Sequence, residues 1–264
     1  MDAVVAARRI EGDGTPAAAW RDDPQLQAVL PLAAERLLAA CARVVVVAPH
    51  PDDEILACGG LLQVAIEHGL PQLLVAVTDG EASHPGSDQW TSARLREQRP
   101  RETLAALACL GIAHPRLQRL GLPDGGVAAA EATLAARLGA ILRPADLVVT
   151  TWRYDAHPDH EACARACTSA TAACGATLFE TPVWGWHWSA PGDGAMPLAQ
   201  ARKLALTPAM LARKRAALMC FESQLGPAGR AEGPVLTAHA IERILHPFEL
   251  YFHDTGPVHA AATL

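Results

Sequence analysis

From residue 43 onwards, short runs of β-branched and aliphatic residues alternate with longer segments of helical periodicity. Four consecutive valines at 44–47 are apolar on both faces, which is typical of a strand buried in a parallel sheet. The pattern predicts strands at residues 43–48, 72–78, 117–122, 146–152 and 177–184, and helices at residues 53–67, 91–110, 129–142 and 157–174. Such alternation favours right-handed β-α-β crossovers. We therefore expect an α/β fold with a Rossmann-like, mostly parallel sheet and helices on both faces.

The pattern weakens towards both ends of the chain. Residues 1–42 contain several prolines around short apolar patches, so we expect an N-terminal extension before a single domain at residues 43–264. Towards the C-terminus, a helix is predicted near residues 208–221 and a last strand near residues 248–252. Pro100 falls inside the second predicted helix and should kink it or split it, because proline lacks the N–H that the helix needs.

The composition describes a core-rich protein with a mild negative charge. Of the 264 residues, 50% are apolar and 19% are charged, and the formal net charge is -6. A nucleic-acid binder needs a basic surface, so we expect small-molecule partners and no nucleic acid. The longest apolar runs are far shorter than the roughly 20 residues that cross a bilayer, so no membrane span is expected.

The N-terminus and the cysteines indicate a cytoplasmic protein. Arg8 and Arg9 follow a short apolar stretch, which is the reverse of the order in a signal peptide. The seven cysteines are scattered and form no C-x-x-C pair, as expected of reduced thiols. Nothing in the sequence indicates an oligomeric state.

Two clusters of histidine and acidic residues follow predicted strands. Ligands bind sheets of this kind at the carboxyl ends of the strands. Residues 50–54, after the first strand, are His-Pro-Asp-Asp-Glu, and residues 155–161, after the fourth, contain two histidines and three acidic residues. Two imidazoles and one carboxylate are the ligand set of a catalytic zinc. His50 and Asp53 with one histidine of the second cluster make this set, and spacing alone does not choose that histidine.

These two segments resemble the paired motifs of a known family. Residues 50–54 resemble the HPDDE motif of the PIG-L/LmbE-like metal-dependent N-deacetylases, and residues 155–160 resemble their D-x-HPDH motif. Further similar positions lie between and after them: Thr78-Asp79-Gly80-Glu81, Arg99 with Glu102, Pro123-Asp124-Gly125, and Lys214 with Ser223-Gln224. The resemblance spans about residues 43–225 and implies the LmbE-like version of the expected sheet.

Carried over by position, the resemblance implies a role for each motif residue. It implies a metal, Zn²⁺ with Fe²⁺ as the alternative, held by His50, Asp53 and His160. Asp52 would be the general base, and His157 would face the reacting carbonyl and, if protonated, stabilise the oxyanion. Asp155 or Asp159 could keep His157 charged, or either could cap the helix that follows.

Two further features leave alternatives open. Arg99 occupies the position of a family arginine that reaches toward substrate, and an ion pair with Glu102 is the alternative. The three tryptophans at residues 184–188 could stack on a sugar or could pack in the core.

The resemblance implies a hydrolase that removes the N-acetyl group from an N-acetylated amino sugar or a related glycoside. The substrate would be a small molecule or a glycoconjugate, and the products acetate and a free amine. One alternative is that the same metal site cleaves a larger amide conjugate or an ester. Another is a non-catalytic sugar- or nucleotide-binding module, although residues 49–60 lack the G-x-G-x-x-G sequence typical of dinucleotide sites.

Overall fold

The central sheet has seven strands in the part of the chain that the computed structural model describes, residues 8–226 and 234–253. They are β1 (Arg43–Ala48), β2 (Gln72–Ala76), β3 (Arg116–Arg119), β4 (Asp146–Thr151), β5 (Thr177–Thr181), β6 (Ala201–Ala205) and β7 (Phe248–His253). The order is β3-β2-β1-β4-β5-β7-β6. Strands β1 to β5 pair in parallel, and β7 pairs antiparallel to both of its neighbours. The predicted mostly parallel sheet is confirmed. The sequence pattern missed β6, because Arg202 and Lys203 interrupt its apolar run.

Helices cover both faces of this sheet. In chain order they are α1 (Ala17–Arg21), α2 (Pro24–Gln27), α3 (Ala34–Ala39), α4 (Asp53–Glu67), α5 (Ser92–Cys109), α6 (Glu131–Ile141), α7 (Pro158–Cys174), α8 (Gly185–Trp188), α9 (Pro208–Leu218), α10 (Glu222–Leu225) and α11 (Ala238–Ile244). Val44 and Val46 of β1 belong to the apolar cluster that includes α4, α5 and α9. Val45 and Val47 belong to the opposite cluster, with α6 and α7. Among the described helices, none has the length and apolar character needed to cross a membrane.

The described N-terminal residues pack on the first of these clusters. Trp20 is buried there and donates its indole N–H to the carbonyl of Trp186. Residues 30–32 run beside β6, where the backbone N–H of Lys203 donates to the carbonyl of Leu30. The division into an extension and a domain at residue 42 stays a prediction. Residues 1–7, which contribute to the signal-peptide expectation, lie outside the described residues.

Helix α5 is not split at Pro100. The helix runs as one element past the proline. In a regular helix the N–H of residue 100 would donate to the carbonyl of residue 96. Here that carbonyl, of Arg96, accepts a hydrogen bond from Nη2 of Arg119 at 3.5 Å. A side chain of β3 therefore replaces the donor that proline lacks.

Helix α4 is irregular in its middle, where a buried ion pair enters its hydrogen-bond ladder. Cys58 has non-helical backbone angles, φ -144° and ψ 26°. The N–H of Gly60 donates to Oε1 of Glu249 at 2.6 Å, and the carbonyl of Leu56 accepts from Nζ of Lys214 at 3.0 Å. Lys214 and Glu249 are themselves 2.6 Å apart and almost fully buried. The pair thus satisfies the two backbone groups that a regular helix would join to each other.

This close approach predicts that Gly60 cannot be enlarged. A Cβ atom there would lie 2.3 Å from Cδ2 of Leu206 and 2.9 Å from Oε2 of Glu249. We expect Gly60→Ala to lower the free energy of unfolding by about 1–3 kcal/mol, measured by urea denaturation. The control is Gly139→Ala in α6, where a Cβ would meet nothing within 4 Å and should add up to about 1 kcal/mol of stability. Equal stability of the two variants would contradict the role of this contact.

Candidate metal centre and active site

The two His/Asp segments meet at the carboxyl ends of β1 and β4. These strands are neighbours in the sheet. The chain continues from β1 into α4 on one face and from β4 into α7 on the other. A crevice opens between the two loops where the strand order changes direction, as is typical of ligand sites in such sheets.

The imidazoles of His50 and His160 both contact the same carboxylate oxygen of Asp53. Oδ2 of Asp53 lies 3.2 Å from Nδ1 of His50 and 3.3 Å from Nε2 of His160. Ligand atoms of a tetrahedral zinc site with bonds of about 2.0–2.1 Å are about 3.3 Å apart, so both spacings fit zinc ligands. The predicted ligand residues are therefore neighbours, although they come from separate loops.

Asp155 holds His160 in the orientation that a metal ligand needs. Its Oδ2 lies 2.7 Å from Nδ1 of His160. The same carboxylate accepts the backbone N–H groups of Val183, Trp184 and Gly185 at 2.7 to 3.0 Å. With its Nδ1 proton donated to Asp155, His160 directs Nε2 towards Asp53.

The charge of the site favours a cation. Burial lowers the pKa of His160, but Asp53 and Asp155 outweigh this effect and raise it to about 9. His50 is similarly surrounded, and the carboxylates of Asp124, Asp159 and Asp53 raise its pKa well above the ordinary value in spite of burial. When the imidazoles are neutral, the carboxylates leave the site with a net negative charge. A bound metal ion would supply the balancing positive charge.

Asp124 belongs to the site although it had no assigned role in the sequence analysis. Its Oδ1 lies 3.2 Å from Nε2 of His50, and its Oδ2 accepts the N–H of Ala82 at 2.8 Å. The position after β3, within the Pro-Asp-Gly segment, was the available sequence signal. Among the described residues, two groups have ligand atoms that all lie within 4.8 Å of one another: His50 with His157 and His160, and His50 with Asp124 and Asp159. Asp53 belongs to neither group and contacts the imidazoles of His50 and His160 individually.

Asp52 lies next to this centre in a strained conformation. Its φ of 135° is in the region that favours glycine. The strain is held by Glu54, whose Oε2 accepts the N–H of Asp52 at 3.0 Å, and by Arg99, whose Nη2 lies 3.1 Å from Oδ2 of Asp52. Burial raises the pKa of Asp52 to about 7, against the opposing charge of Arg99. A carboxyl group with such a pKa can both accept and release a proton near neutral pH.

Arg99 is buried behind Asp52. Besides the contact with Asp52, its guanidinium donates to the carbonyls of Gly80 at 2.9 Å and Pro51 at 2.6 Å. The alternative ion pair with Glu102 does not form, because the Glu102 carboxylate accepts from the backbone N–H and the hydroxyl of Ser223. Arg99 also lines the cavity above the site. Its hydrogen bonds, however, go to Gly80, Pro51 and Asp52, so Arg99 holds the loop that carries Asp52.

His157 is oriented by the backbone and not by a carboxylate. Its Nδ1 accepts the N–H of Asp159 at 3.3 Å, so the His157 side chain itself caps α7. Asp155 binds His160 and Asp159 contacts His50, so the expectation that either keeps His157 charged is wrong. Burial and the positive charges of His160 and His50 lower the pKa of His157 to about 3. The neutral ring therefore carries its proton on Nε2.

A cavity of about 320 Å³ lies over these residues. Its polar floor consists of His50, Asp52, Asp53, Arg99, Asp124, His157 and His160, and its apolar wall of Leu56, Trp184, Val235 and Leu236. The tryptophan stretch divides between the two expected roles. Trp184 lines the cavity, whereas Trp186 is buried against Trp20 with ring centroids 5.3 Å apart.

The fold and the site define an α/β protein with a candidate His/carboxylate metal centre at the switch point of its sheet. Residues 45–171 match the family model described as PIG-L: GlcNAc-PI de-N-acetylase. The matched segment includes both residues 50–54 and residues 155–160, and the resemblance seen there is confirmed.

A curated relative and two solved structures are similar to the chain. A 1D-myo-inositol 2-acetamido-2-deoxy-alpha-D-glucopyranoside deacetylase from Mycolicibacterium vanbaalenii is 31% identical over 189 residues, which cover 61% of this chain and 63% of the relative. The chain thus spans less than two thirds of the length of that relative.

The solved structures are more distant in sequence. A deacetylase from the biosynthesis pathway of teicoplanin is 22% identical, with a TM-score of 0.61 over 80% of this chain and 97% of that chain. GalB, the 4-carboxy-2-hydroxymuconate hydratase from Pseudomonas putida KT2440, is 18% identical, with a TM-score of 0.57 over 84% of this chain and 99% of that chain. At these identities the likeness concerns the fold alone.

The contact between Asp155 and His160 predicts a loss of metal affinity on substitution. We expect Asp155→Asn to bind Zn²⁺ about 10–100-fold more weakly, because the amide has one acceptor oxygen where Asp155 uses two, and it lacks the negative charge that holds His160. Competition with a chromophoric chelator measures this affinity. Asp23→Asn is the matched control, since Asp23 is also buried and accepts two backbone N–H groups, those of Gln25 and Leu26. Unchanged zinc affinity in Asp155→Asn would contradict the assignment of His160 as a ligand.

Proposed function

We propose that this protein is a metal-dependent hydrolase that removes the N-acetyl group from an N-acetylated amino sugar or a related glycoside. The products are acetate and a free amine. The observation that carries the proposal is that the imidazoles of His50 and His160 both contact Oδ2 of Asp53. Asp52 and His157 line the same cavity. The PIG-L family match and the curated deacetylase relative support the same reaction.

His50, Asp53 and His160 would hold the metal, which we infer to be Zn²⁺. A His₂Asp set also accepts Fe²⁺. When bound, the metal lowers the pKa of a coordinated water to near 7 and polarises the substrate carbonyl. The roles of the surrounding side chains then follow from their positions.

Asp52 is the group that moves the proton. Its Oδ2 is bound to Arg99, which leaves Oδ1 to accept the proton of the attacking water. Asp52 directly precedes the proposed ligand Asp53 in the chain, so this oxygen stays near the metal site. Because its pKa is about 7, Asp52 can then pass the proton to the departing amine nitrogen.

His157 stabilises the oxyanion of the tetrahedral intermediate. Its Nδ1 is occupied by the N–H of Asp159, so Nε2 is the donor available to the reacting carbonyl oxygen. A neutral imidazole performs this role without the carboxylate partner that the sequence suggested. Loss of one oxyanion donor typically costs about 10²–10³ in rate.

The cavity suits a compact acetylated sugar. Polar groups at Asp124, Ser83 and Gln224 can bind hydroxyl groups, whereas Leu56, Trp184 and Leu236 can contact the acetyl methyl and the apolar face of a sugar ring. The volume of about 320 Å³ is at the lower end of ligand cavities, which favours acetyl over a long acyl group.

Assays of acetate release from N-acetylglucosaminides test the proposal. The comparison substrates are longer N-acyl glucosamines and acetyl esters of the same sugars. Removal of the metal with a chelator should abolish acetate release, and Zn²⁺ or Fe²⁺ should restore it. Full activity of metal-free protein would overturn the proposal, and a preference for longer amides or for esters would favour the alternative bond. Sugar binding without turnover of any substrate would favour a binding module.

Asp52→Asn is predicted to lose acetate release while it keeps its metal. We expect a decrease of about 10²–10⁴-fold in kcat, because the amide cannot accept the proton of water. Zinc content by elemental analysis checks that the ligand residues are intact. Asp88→Asn in an exposed loop is the control and should behave as wild type. Wild-type turnover by metal-loaded Asp52→Asn would remove Asp52 as the base.

Arg99→Lys is predicted to lower kcat more than it changes KM. Lysine cannot reproduce the separate bonds of the guanidinium to Asp52, Pro51 and Gly80, so the base is held less accurately. We expect a decrease in kcat of about 10–100-fold. Steady-state kinetics on an N-acetylglucosaminide measure both constants. An increase in KM at unchanged kcat would instead assign Arg99 to substrate binding.

A further inference from the structure

Two cysteines that are distant in sequence lie side by side outside the candidate active site. The sulfur atoms of Cys109 and Cys220 are 3.7 Å apart, although 111 residues separate them in the chain. Both residues are partly exposed, so an oxidant can reach them. Three of the other five cysteines, Cys58, Cys163 and Cys167, are buried.

The backbone around this pair allows the sulfur atoms to approach each other. A disulfide bond is about 2.05 Å long, so the sulfur atoms must move about 1.7 Å closer. Cys109 is the last residue of α5, and Cys220 lies just beyond the end of α9. Helix ends and connecting residues adjust more readily than helix interiors, because fewer hydrogen bonds hold them.

The pair lies at the base of two elements that form the active-site cavity. Helix α5 carries Arg99 and Glu102, and α10 begins two residues after Cys220. Ser223 of α10 donates its N–H and its hydroxyl to Glu102, and the neighbouring Gln224 lines the cavity. A covalent bond between Cys109 and Cys220 would therefore join the same elements that Glu102 and Ser223 join by hydrogen bonds.

We propose that Cys109 and Cys220 form a reversible disulfide that fastens the α9–α10 segment to α5. Glutathione disulfide is a sufficient oxidant. The thiolate of one of the two cysteines attacks one of the glutathione sulfur atoms and releases one glutathione thiolate, which leaves a mixed disulfide on that cysteine. The thiolate of the other cysteine then attacks the protein sulfur of the mixed disulfide and releases the second glutathione. The two cysteines lose two protons and two electrons, and one glutathione disulfide becomes two glutathione thiols.

Peptide mapping of the full-length protein tests the disulfide itself. The protein is incubated with glutathione disulfide, unfolded in the presence of iodoacetamide, and digested without reductant. We expect a linked peptide pair that contains Cys109 and Cys220, and its loss after dithiothreitol. Cys109→Ser and Cys220→Ser should not form the pair, whereas Cys174→Ser, a matched partly exposed cysteine, should form it as wild type does. Alkylation or separate glutathionylation of both residues in the oxidised wild type would overturn the proposal.

Thermal unfolding tests whether the bond fastens the two segments. Oxidised wild-type protein should unfold about 5 °C higher than reduced protein, because the bond closes a long loop in the unfolded chain. Cys220→Ser should unfold at the same temperature with and without glutathione disulfide. Formation of the link without a rise in Tm would overturn the fastening role. Neither readout depends on the enzymatic activity, so a failure here is distinct from a failure of the proposed reaction.

Discussion

The carboxylate of Asp155 is the contact on which the candidate metal centre depends. It accepts three backbone N–H groups from residues 183–185 and the Nδ1 proton of His160. The loop after β5 and the start of α7 are thereby joined through one buried side chain. Because the ring of His160 is fixed, its Nε2 stays close to the Asp53 oxygen that also faces His50. The orientation of the proposed ligand His160 therefore rests on Asp155, which is outside the proposed ligand set.

A strained backbone places the proposed base, Asp52, beside this centre. Asp52 has a positive φ of 135°, a conformation that costs about 1–3 kcal/mol and persists only where surrounding contacts hold it. Arg99 and Glu54 supply these contacts from opposite sides of the residue, one at the side chain and one at the backbone. Two consecutive aspartates can therefore have different roles. Asp53 faces the imidazoles, whereas Asp52 contacts Arg99 and is the proposed base.

The fold alone does not choose the reaction. Similar folds occur in a deacetylase of the teicoplanin pathway and in a hydratase. The proposed chemistry follows from the side chains at the switch point, where the proposed ligand residues, Asp52 and His157 line one small cavity. The PIG-L match covers both loops that supply these residues. The proposed function thus depends on the site, and the disulfide proposal depends on a separate part of the molecule.

Much of the fold could be predicted because its signals are local. Strand β1, with its four valines, ends at Ala48, directly before Pro49, and α4 begins at Asp53 as predicted. The predicted ligands follow strands whose carboxyl ends must lie at one edge of a parallel sheet, so their proximity could also be expected. Other features depend on contacts between distant residues. Strand β6 is completed by β7, and Pro100 is tolerated because Arg119 replaces its missing donor.

The sequence by itself determined the strand and helix pattern and the residues that follow each strand, since periodicity and chain direction are properties of neighbouring residues. Only the tertiary structure decided which partner each polar group has. It brought Asp124 to His50, gave Asp155 to His160 instead of His157, and placed Cys109 beside Cys220. The physical reason is that these pairings depend on strand order and helix packing across the whole core, which no local pattern of residues records.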